Sequence, residues 1–359
     1  MKINIFIGPT NKYKEYLSKD GVTESNYYSL LSLALDVEKN KYSNNNSFKS
    51  KTLIIFSSDY SSVTEAVLYD FVSFIKFAKI AYIYLQNPPK CILEELKRHY
   101  SEEQISVIKH NYKKINNDIV SRFKTMVPKR IIGQEDALKS FTKFLFINNR
   151  LNPSEKPIVI LMYGPSGVGK TDTCRVLTEI MKENLFVKQF SMFQSNQYAD
   201  YLFGGKIQDN SLAKELLNRE SNVIVFDEFD KCNSIMYSAF YELFDTGLFK
   251  DKNYEVDLKN TLIICTSNFC SQKEIYDILG EPMYFRINGF IKYNDLSQEA
   301  AEEIINKSYE EYLLRLKPSE REIVMKLKIK EEILSKVDKF SNVRQIENFV
   351  RNLIASSVE

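Results

Sequence analysis

Tryptophan is absent from this 359-residue chain, and histidine, cysteine, proline and glycine are scarce, at 2, 5, 9 and 11 residues. Without tryptophan the chain is nearly invisible to tryptophan fluorescence. The cysteines (Cys91, Cys174, Cys232, Cys265, Cys270) are scattered and odd in number, none in a C-x-x-C spacing, and His99 and His110 lie far from most of them. That argues against a zinc site and more strongly against a disulfide framework. No apolar run reaches bilayer-spanning length. Neither sign of charge dominates: 49 basic and 47 acidic residues leave +2, so there is no global electrostatic argument for nucleic acid or an acidic surface. The run Met1 to Ile7, ended by Gly8-Pro9, reads as a first strand and not as a signal peptide, because no small-residue cleavage region follows. The cytoplasm is the expected location.

What is present is a 44% hydrophobic composition and a length that predicts two or three globular domains. Three of the few glycines fall within Gly164-Pro165-Ser166-Gly167-Val168-Gly169-Lys170-Thr171. An apolar run, Ile158 to Tyr163, precedes this stretch, and a helical pattern from Asp172 to Glu183 follows. Strand, glycine loop, then Gly-Lys-Thr opening a helix is the context of a phosphate-binding loop. Glycines let successive N–H groups converge on one anion. The helix N-terminus and Lys170 add positive charge, and Thr171 offers a hydroxyl to magnesium. A nucleotide site is predicted.

Residues 1 to about 90 alternate strand candidates (Ile3–Ile7, Leu53–Phe56, Ala81–Leu85) with helix candidates (Ser25–Glu38, Val63–Lys79), and a further helix candidate, Lys90–Tyr100, follows, which predicts a small parallel-sheet module. The polar stretch Lys41 to Ser50 reads as a loop. Gly8-Pro9-Thr10-Asn11-Lys12 faintly suggests a phosphate loop but lacks the later Gly-Lys, and the first strand ends without the acids of a phosphoacceptor domain. A recruiting or sensing module of unknown ligand is expected. Residues 101 to 130 are polar, helical in pattern and somewhat basic (Lys109, Lys113, Lys114, Arg122, Lys124, Lys129, Arg130). They read as a helical connector, with a nucleic-acid patch as the alternative. Val127-Pro128 is taken as its boundary, since the residue before proline resists helix.

Past the glycine loop, Val223 to Phe226 forms a buried-strand pattern ending in Asp227-Glu228. Asp227 is placed to hold the metal opposite Thr171, and Glu228 to orient the attacking water. A further strand, Thr261 to Asn268, has that asparagine as its last residue. That amide would lie beside Glu228 if the two strands flank the phosphate strand, within reach of the water and the γ-phosphate.

From Ile131 to about Leu353 the chain resembles the AAA+ ATPases, most closely the second ATPase module of the Clp-type chaperones ClpA and ClpB. Ile131-Ile132-Gly133-Gln134 is similar to that family's adenine-pocket box, and Val223 to Lys231 to its Walker B stretch. Thr266-Ser267-Asn268 is similar to its sensor 1, Phe285-Arg286-Ile287 to its arginine-finger segment, and Asn342-Val343-Arg344 to the start of its sensor 2 helix. The resemblance implies ATP and Mg2+ as cofactors, with Ile132, Gly133, the loop Gly164 to Thr171, Asp172 and Arg344 holding the nucleotide. It also implies that Thr171 and Asp227 hold the metal, that Glu228 and Asn268 are catalytic, and that Arg286 completes a neighbouring protomer's site in a homo-oligomer, a hexamer above all.

Three departures qualify that likeness. The Gly-aromatic-Val-Gly loop that grips polypeptide in the unfoldases is replaced by Tyr201 to Asn210, leaving Phe203 or Ile207 as substitutes, or no threading at all. Leu279-Gly280-Glu281 stands in place of a peptidase-docking tripeptide, so no Clp peptidase partner is expected. The chain stops soon after the Arg344 helix, so the lid is expected to lack a last strand. The expected fold is α/β: a P-loop NTPase three-layer α/β/α core (131–293) with a small, mostly helical lid (294–359), preceded by a small α/β N-terminal domain (1–100) and the connector (101–130). ATP hydrolysis is expected to remodel a protein partner recruited by the N-terminal domain. An ATP-controlled assembly switch or scaffold without threading is the second reading, and a DNA-associated ATPase the third.

Overall fold

The computed structural model describes residues 1–22, 27–40, 48–151, 156–192 and 198–358. Most of the expected Lys41–Ser50 loop and the start of the Ser25–Glu38 helix candidate lie outside the described residues. The residues gather into two compact units. One comprises Met1–Lys113, Phe193–Asn222 and Asn233–Asn260; the other comprises Lys114–Met192, Val223–Cys232 and Thr261–Glu359.

The first unit is built on β1 (Lys2–Ile7), β2 (Thr52–Ile55), β3 (Tyr82–Gln86) and β4 (Ile105–Lys109), all parallel in the order β2-β3-β1-β4. Side chains alternate between the sheet's faces. Ile3, Ile5, Leu53, Ile55, Ile83 and Leu85 join one apolar cluster, while Phe6, Ile54 and Tyr84 join another with Tyr13 and Leu17 of the helix Thr10–Lys19. Both faces are therefore covered, as a parallel sheet requires. The helix expected over Val63–Lys79 is two helices, Glu65–Tyr69 and Phe71–Phe77, parted at Asp70. Glu95 from the neighbouring helix accepts the Val72 N–H (3.2 Å), which satisfies an early amide of the second helix.

The segment expected to be helical from residue 101 contains β4, which pairs with β1. The run Ile105-Ser106-Val107-Ile108 has the β-branched character of a strand, and pairing with β1 overrides its polar flanks. The helix begins only at Asn117, whose preceding residue Asn116 caps it by accepting the Ile119 N–H (2.9 Å). It continues through Pro128 to Arg130, so Val127-Pro128 is not a boundary. Val120, Phe123 and Val127 are buried on one face, and that packing outweighs the pre-proline preference in a last turn where a single N–H is missing.

The chain then lays down β5 (Ile158–Tyr163), β6 (Phe186–Gln189) and β7 (Val223–Asp227), and leaves for an antiparallel hairpin of β8 (Leu248–Lys250) and β9 (Glu255–Asp257) in the first unit. It returns with β10 (Leu262–Ser267) and β11 (Gly289–Lys292). The second unit's sheet is parallel in the order β11-β5-β10-β7-β6. Its three central strands, β5, β10 and β7, are near-continuous apolar runs buried on both faces, and the core is a three-layer α/β/α P-loop fold. The helices Gln298–Arg315, Pro318–Lys326, Ile329–Leu334 and Val343–Val358 form a small lid around their own core of Ile304, Ile305, Val324, Ile333, Ile346 and Val350.

The strand order corrects one expectation. Strands β7 and β10 do not flank the phosphate strand; β10 lies between β5 and β7. Ser267 registers with Tyr163, and Cys265 with Phe226. Gly164, Asn268 and Asp227-Glu228 thus emerge along one carboxyl edge, with Asn268 between the other two. Which strands become neighbours depends on crossovers, and no local pattern encodes that.

Candidate active site

The glycine loop leaves β5 with Gly164 at φ 132°, where an added Cβ would lie 2.1 Å from the Tyr293 carbonyl oxygen. No other residue fits that approach. Gly169, at φ 101°, ends the loop and opens the helix Lys170–Met181 without a side-chain cap, so the first amides of that helix remain available to an anion. Cys174, Leu177, Ile180 and Met181 anchor the helix in the core, each large apolar side chain contributing about 1.5–3 kcal/mol of burial free energy.

Lys170 is 8% exposed. Its Nζ donates to the carbonyls of Gly164 (2.7 Å) and Pro165 (2.6 Å) and to Asn268 Oδ1 (3.3 Å). Burial draws its pKa down to about 8 against the opposing pull of Asp227, Asp230 and Glu228. Thr171 Oγ1 donates to Asp227 Oδ1 (2.9 Å). This pairing of a hydroxyl with a carboxylate is the donor set a hard divalent cation takes when phosphates and water complete its shell. The residues present fit magnesium.

Three polar groups that the sequence reading gave no role organise the acids. Thr266 Oγ1 donates to Asp227 Oδ1 (2.6 Å) and accepts the Glu228 N–H (3.0 Å). Gln189 Nε2 donates to Glu228 Oε2 (3.0 Å), and the Ser191 hydroxyl bonds the same side chain. These bonds hold the Glu228 carboxyl below its ordinary pKa, so it is ionised at neutral pH. Glu228 also has a left-handed backbone, φ 54°, uncommon for a residue with a Cβ. The one sequence signal for Thr266 is its two-residue offset from Asn268, which puts both on one side of the strand line. Gln189 carries no such signal.

The adenine-box residues are pinned by Gln134, which is 2% exposed. Its amide donates to the Asn294 carbonyl (2.9 Å) and accepts the Asn294 N–H (3.0 Å). Gly133 lies against the lid helix, where an added Cβ would lie 2.5 Å from that of Ala300. The loop, the acids and the lid enclose a cavity of about 540 Å³. Ile132, Ser166 to Asp172, Asp227, Glu228, Asn268 and Arg344 all line it. Gly164 and Pro165 contribute through their carbonyls to Lys170, and Gly133 through its approach to the lid. Lys307, Glu311 and Glu347 of the lid also line the cavity and went unread in the sequence. Arg286 is not brought in. It follows the short helix Glu281–Tyr284, and its Nη1 donates to the Pro282 carbonyl (2.6 Å). Of the two candidate gripping residues, Phe203 is 42% exposed and Ile207 is 1% exposed. The basic run from Lys109 to Arg130 is partly neutralised, with Lys109 paired to Asp257, Arg122 to Asp118 and Arg130 to Glu179.

Comparison with known proteins finds the AAA domain (Cdc48 subfamily) family over residues 155–318. The chaperone protein ClpB of Malacoplasma penetrans is 26% identical over 78% of this chain and 46% of its own length. The AAA+ ATPase ClpV1 of Pseudomonas aeruginosa is 33% identical over 39% of this chain and 17% of its own length. The chain thus spans less than half of these curated relatives. Among solved structures, a closed-state reconstruction of Hsp104 with ATPγS and FITC casein matches with a TM-score of 0.54 at 16% identity, covering 95% of this chain and 67% of that one. That likeness shows the fold. Among the described residues, no helix is long and apolar enough to cross a membrane.

Proposed function

This chain carries an AAA+ ATPase module of the Clp kind, and from that premise we propose that it hydrolyses ATP to ADP and phosphate within an oligomeric ring to remodel a protein partner. The observation that carries the proposal is the convergence of Lys170, Thr171, Asp227, Glu228, Asn268 and Arg344 on one cavity between core and lid.

In this reading the loop amides and Lys170 hold the β- and γ-phosphates, Ile132 seats the base, and Thr171 with Asp227 holds magnesium. Bound with the substrate, magnesium neutralises charge on the phosphate oxygens. Glu228, ionised and steered by Gln189 and Ser191, orients a water and accepts its proton. Asn268 and Lys170 meet the γ-phosphate from β10 and the loop, and Arg344 reaches it from the lid helix, so that nucleotide draws lid and core together. Arg286 lies outside its own cavity and acts in the neighbouring protomer's site, most naturally in a hexamer. The same reading includes no Clp peptidase partner. A second reading, an ATP-controlled assembly switch without threading, is favoured by the burial of Ile207, which leaves no apolar residue at that position to grip a chain.

The test combines phosphate release with binding thermodynamics. The purified chain should release phosphate from ATP with magnesium, at concentrations where it self-associates. A phosphate beside Lys170 favours the ammonium and so raises its pKa from about 8. Binding should therefore take up a proton at about pH 9 and none at about pH 7, and affinity should fall by up to about tenfold per pH unit on the alkaline side. Titration calorimetry in buffers of different ionisation enthalpy measures the uptake. No phosphate release at any concentration ends the ATPase reading; release without alkaline uptake removes Lys170 from the phosphates.

Thr266→Val should keep the packing of β10 but leave the Glu228 N–H without its acceptor and Asp227 without one donor. At about 1–3 kcal/mol for such a loss, turnover should fall about 10- to 100-fold, with Thr266→Ser close to wild type. Equal turnover in the valine and serine variants would show that the hydroxyl contributes nothing.

A further inference from the structure

Parallel α/β sheets take ligands outside the carboxyl ends of their strands. In the first unit that edge is formed by Gly8 after β1, Ser57 after β2, and Gln86 and Asn87 at the end of β3. Gln86 and Asn87 are fully buried and close the Gly8 turn. The Gly8 N–H donates to Asn87 Oδ1, and Asn87 Nδ2 and Gln86 Nε2 donate back to the Gly8 carbonyl, each at 2.9 Å. The Gly8 amide that an anion would need is thereby taken.

The rest of the edge is filled by the chain's own excursion between β6 and β7. Asn218 Oδ1 accepts from Thr10 Oγ1 (3.3 Å), Gln86 Nε2 (3.1 Å) and Asn87 Nδ2 (3.4 Å), and Asn218 Nδ2 donates to Ser57 Oγ (3.0 Å). One amide thus ties together residues at the ends of three strands. Lys214 Nζ donates to Ser61 Oγ (2.7 Å), the Ile207 N–H to Glu65 Oε1 (3.2 Å) and Gln208 Nε2 to the Val63 carbonyl (2.8 Å). Ile207 belongs to the same apolar cluster as Leu68, Phe71 and Ile75.

We propose that the carboxyl edge of the N-terminal sheet is a docking site for the chain's own segment from Ile207 to Asn218. This segment takes the place of a diffusible ligand, and it stays docked through the nucleotide cycle. The second clause rests on the ATPase reading; the docking itself does not. Ile207 is then withheld from any polypeptide in every state. The module's work is to root the excursion whose far end, at Asn222, runs directly into β7 and its Asp227. Buried packing together with a convergent polar network makes this edge a built interface, unlike the open crevice of a ligand-binding sheet.

Ile207→Cys in the full chain tests the proposal by maleimide labelling read out by peptide mass spectrometry. Native Cys270, exposed, and Cys265, buried, give the fast and slow limits in the same sample. The thiol introduced at position 207 should label at the Cys265 rate in the nucleotide-free chain, with ADP, and with ATP in the Glu228→Gln background. Labelling at the Cys270 rate without nucleotide overturns the docking; fast labelling only with ATP overturns its permanence and leaves hydrolysis intact. Adding Asn218→Leu should raise labelling at position 207 by about tenfold through local opening. Asn218→Asp keeps the acceptor and lets Ser57 turn its hydroxyl to donate, so labelling should stay slow. Should Asn218→Leu not fold, as judged by fast labelling of Cys265, Lys214→Ala should give a smaller rise in the same direction. No rise in any folded variant would overturn the assignment of this edge as the anchor.

Discussion

Glu228→Gln is expected to bind ATP as the native chain does while hydrolysing it about a thousandfold more slowly, within the range lost when a general base is removed. The substitution preserves volume, and glutamine occupies the left-handed backbone at φ 54° at no greater cost than glutamate. Its amide oxygen still accepts from Gln189 Nε2, now 3.0 Å from the carboxylate. What disappears is the negative charge that orients a water and takes its proton. In the proposed reading nucleotide binding relies on Lys170, the loop amides and Arg344, which stay in place although the Glu228 charge acting on Lys170 and Arg344 is removed. The variant should therefore accumulate the ATP-bound assembly, visible as an increase in mass by light scattering that persists for hours. Turnover within twofold of the native rate would remove Glu228 from the chemistry.

Arg286→Ala should lower turnover by about three orders of magnitude, the scale lost with an arginine finger, without weakening nucleotide binding to the same protomer. The structural ground is its position: Arg286 donates to the Pro282 carbonyl and does not line its own protomer's cavity. Mixing distinguishes this role from a fold defect. An Arg286→Ala protomer retains Glu228, and a Glu228→Gln protomer retains Arg286. An interface in which the latter's arginine meets the former's cavity is native in both respects. Two inactive preparations should then regain activity on mixing, greatest near equal proportions. If the mixture shows only the sum of its parts, Arg286 does not act across an interface.

Some of this site was legible because its chemistry is local. Strand, glycine loop and helix are contiguous from Ile158 to Met181, so the phosphate loop could be read from adjacent residues and their need for positive φ. Asp227 and Glu228 were legible as acids at the end of an apolar run. The organisation of those acids was not. Thr266 is 39 residues from Asp227 and 38 from Glu228, and Gln189 is 39 from Glu228; each contact exists only because β6, β7 and β10 are in one sheet. Over residues 101–116 the helical expectation failed for the same reason. A short β-branched run amid polar residues becomes β4 when β1 offers it an edge, and a proline is tolerated in a helix whose other face is packed.

By itself the sequence determined a glycine loop between a strand and a helix, a pair of acids at a strand end and a module of alternating strands and helices. Those features depend on backbone freedom, charge and apolar period within a few neighbouring residues. Tertiary structure alone decided that β10 runs between β5 and β7, that a threonine hydroxyl orients both acids, and that Ile207 is buried in the N-terminal module. Each of these joins residues dozens to more than a hundred positions apart, where the choice of partner is made by the burial of whole faces and no local pattern specifies it.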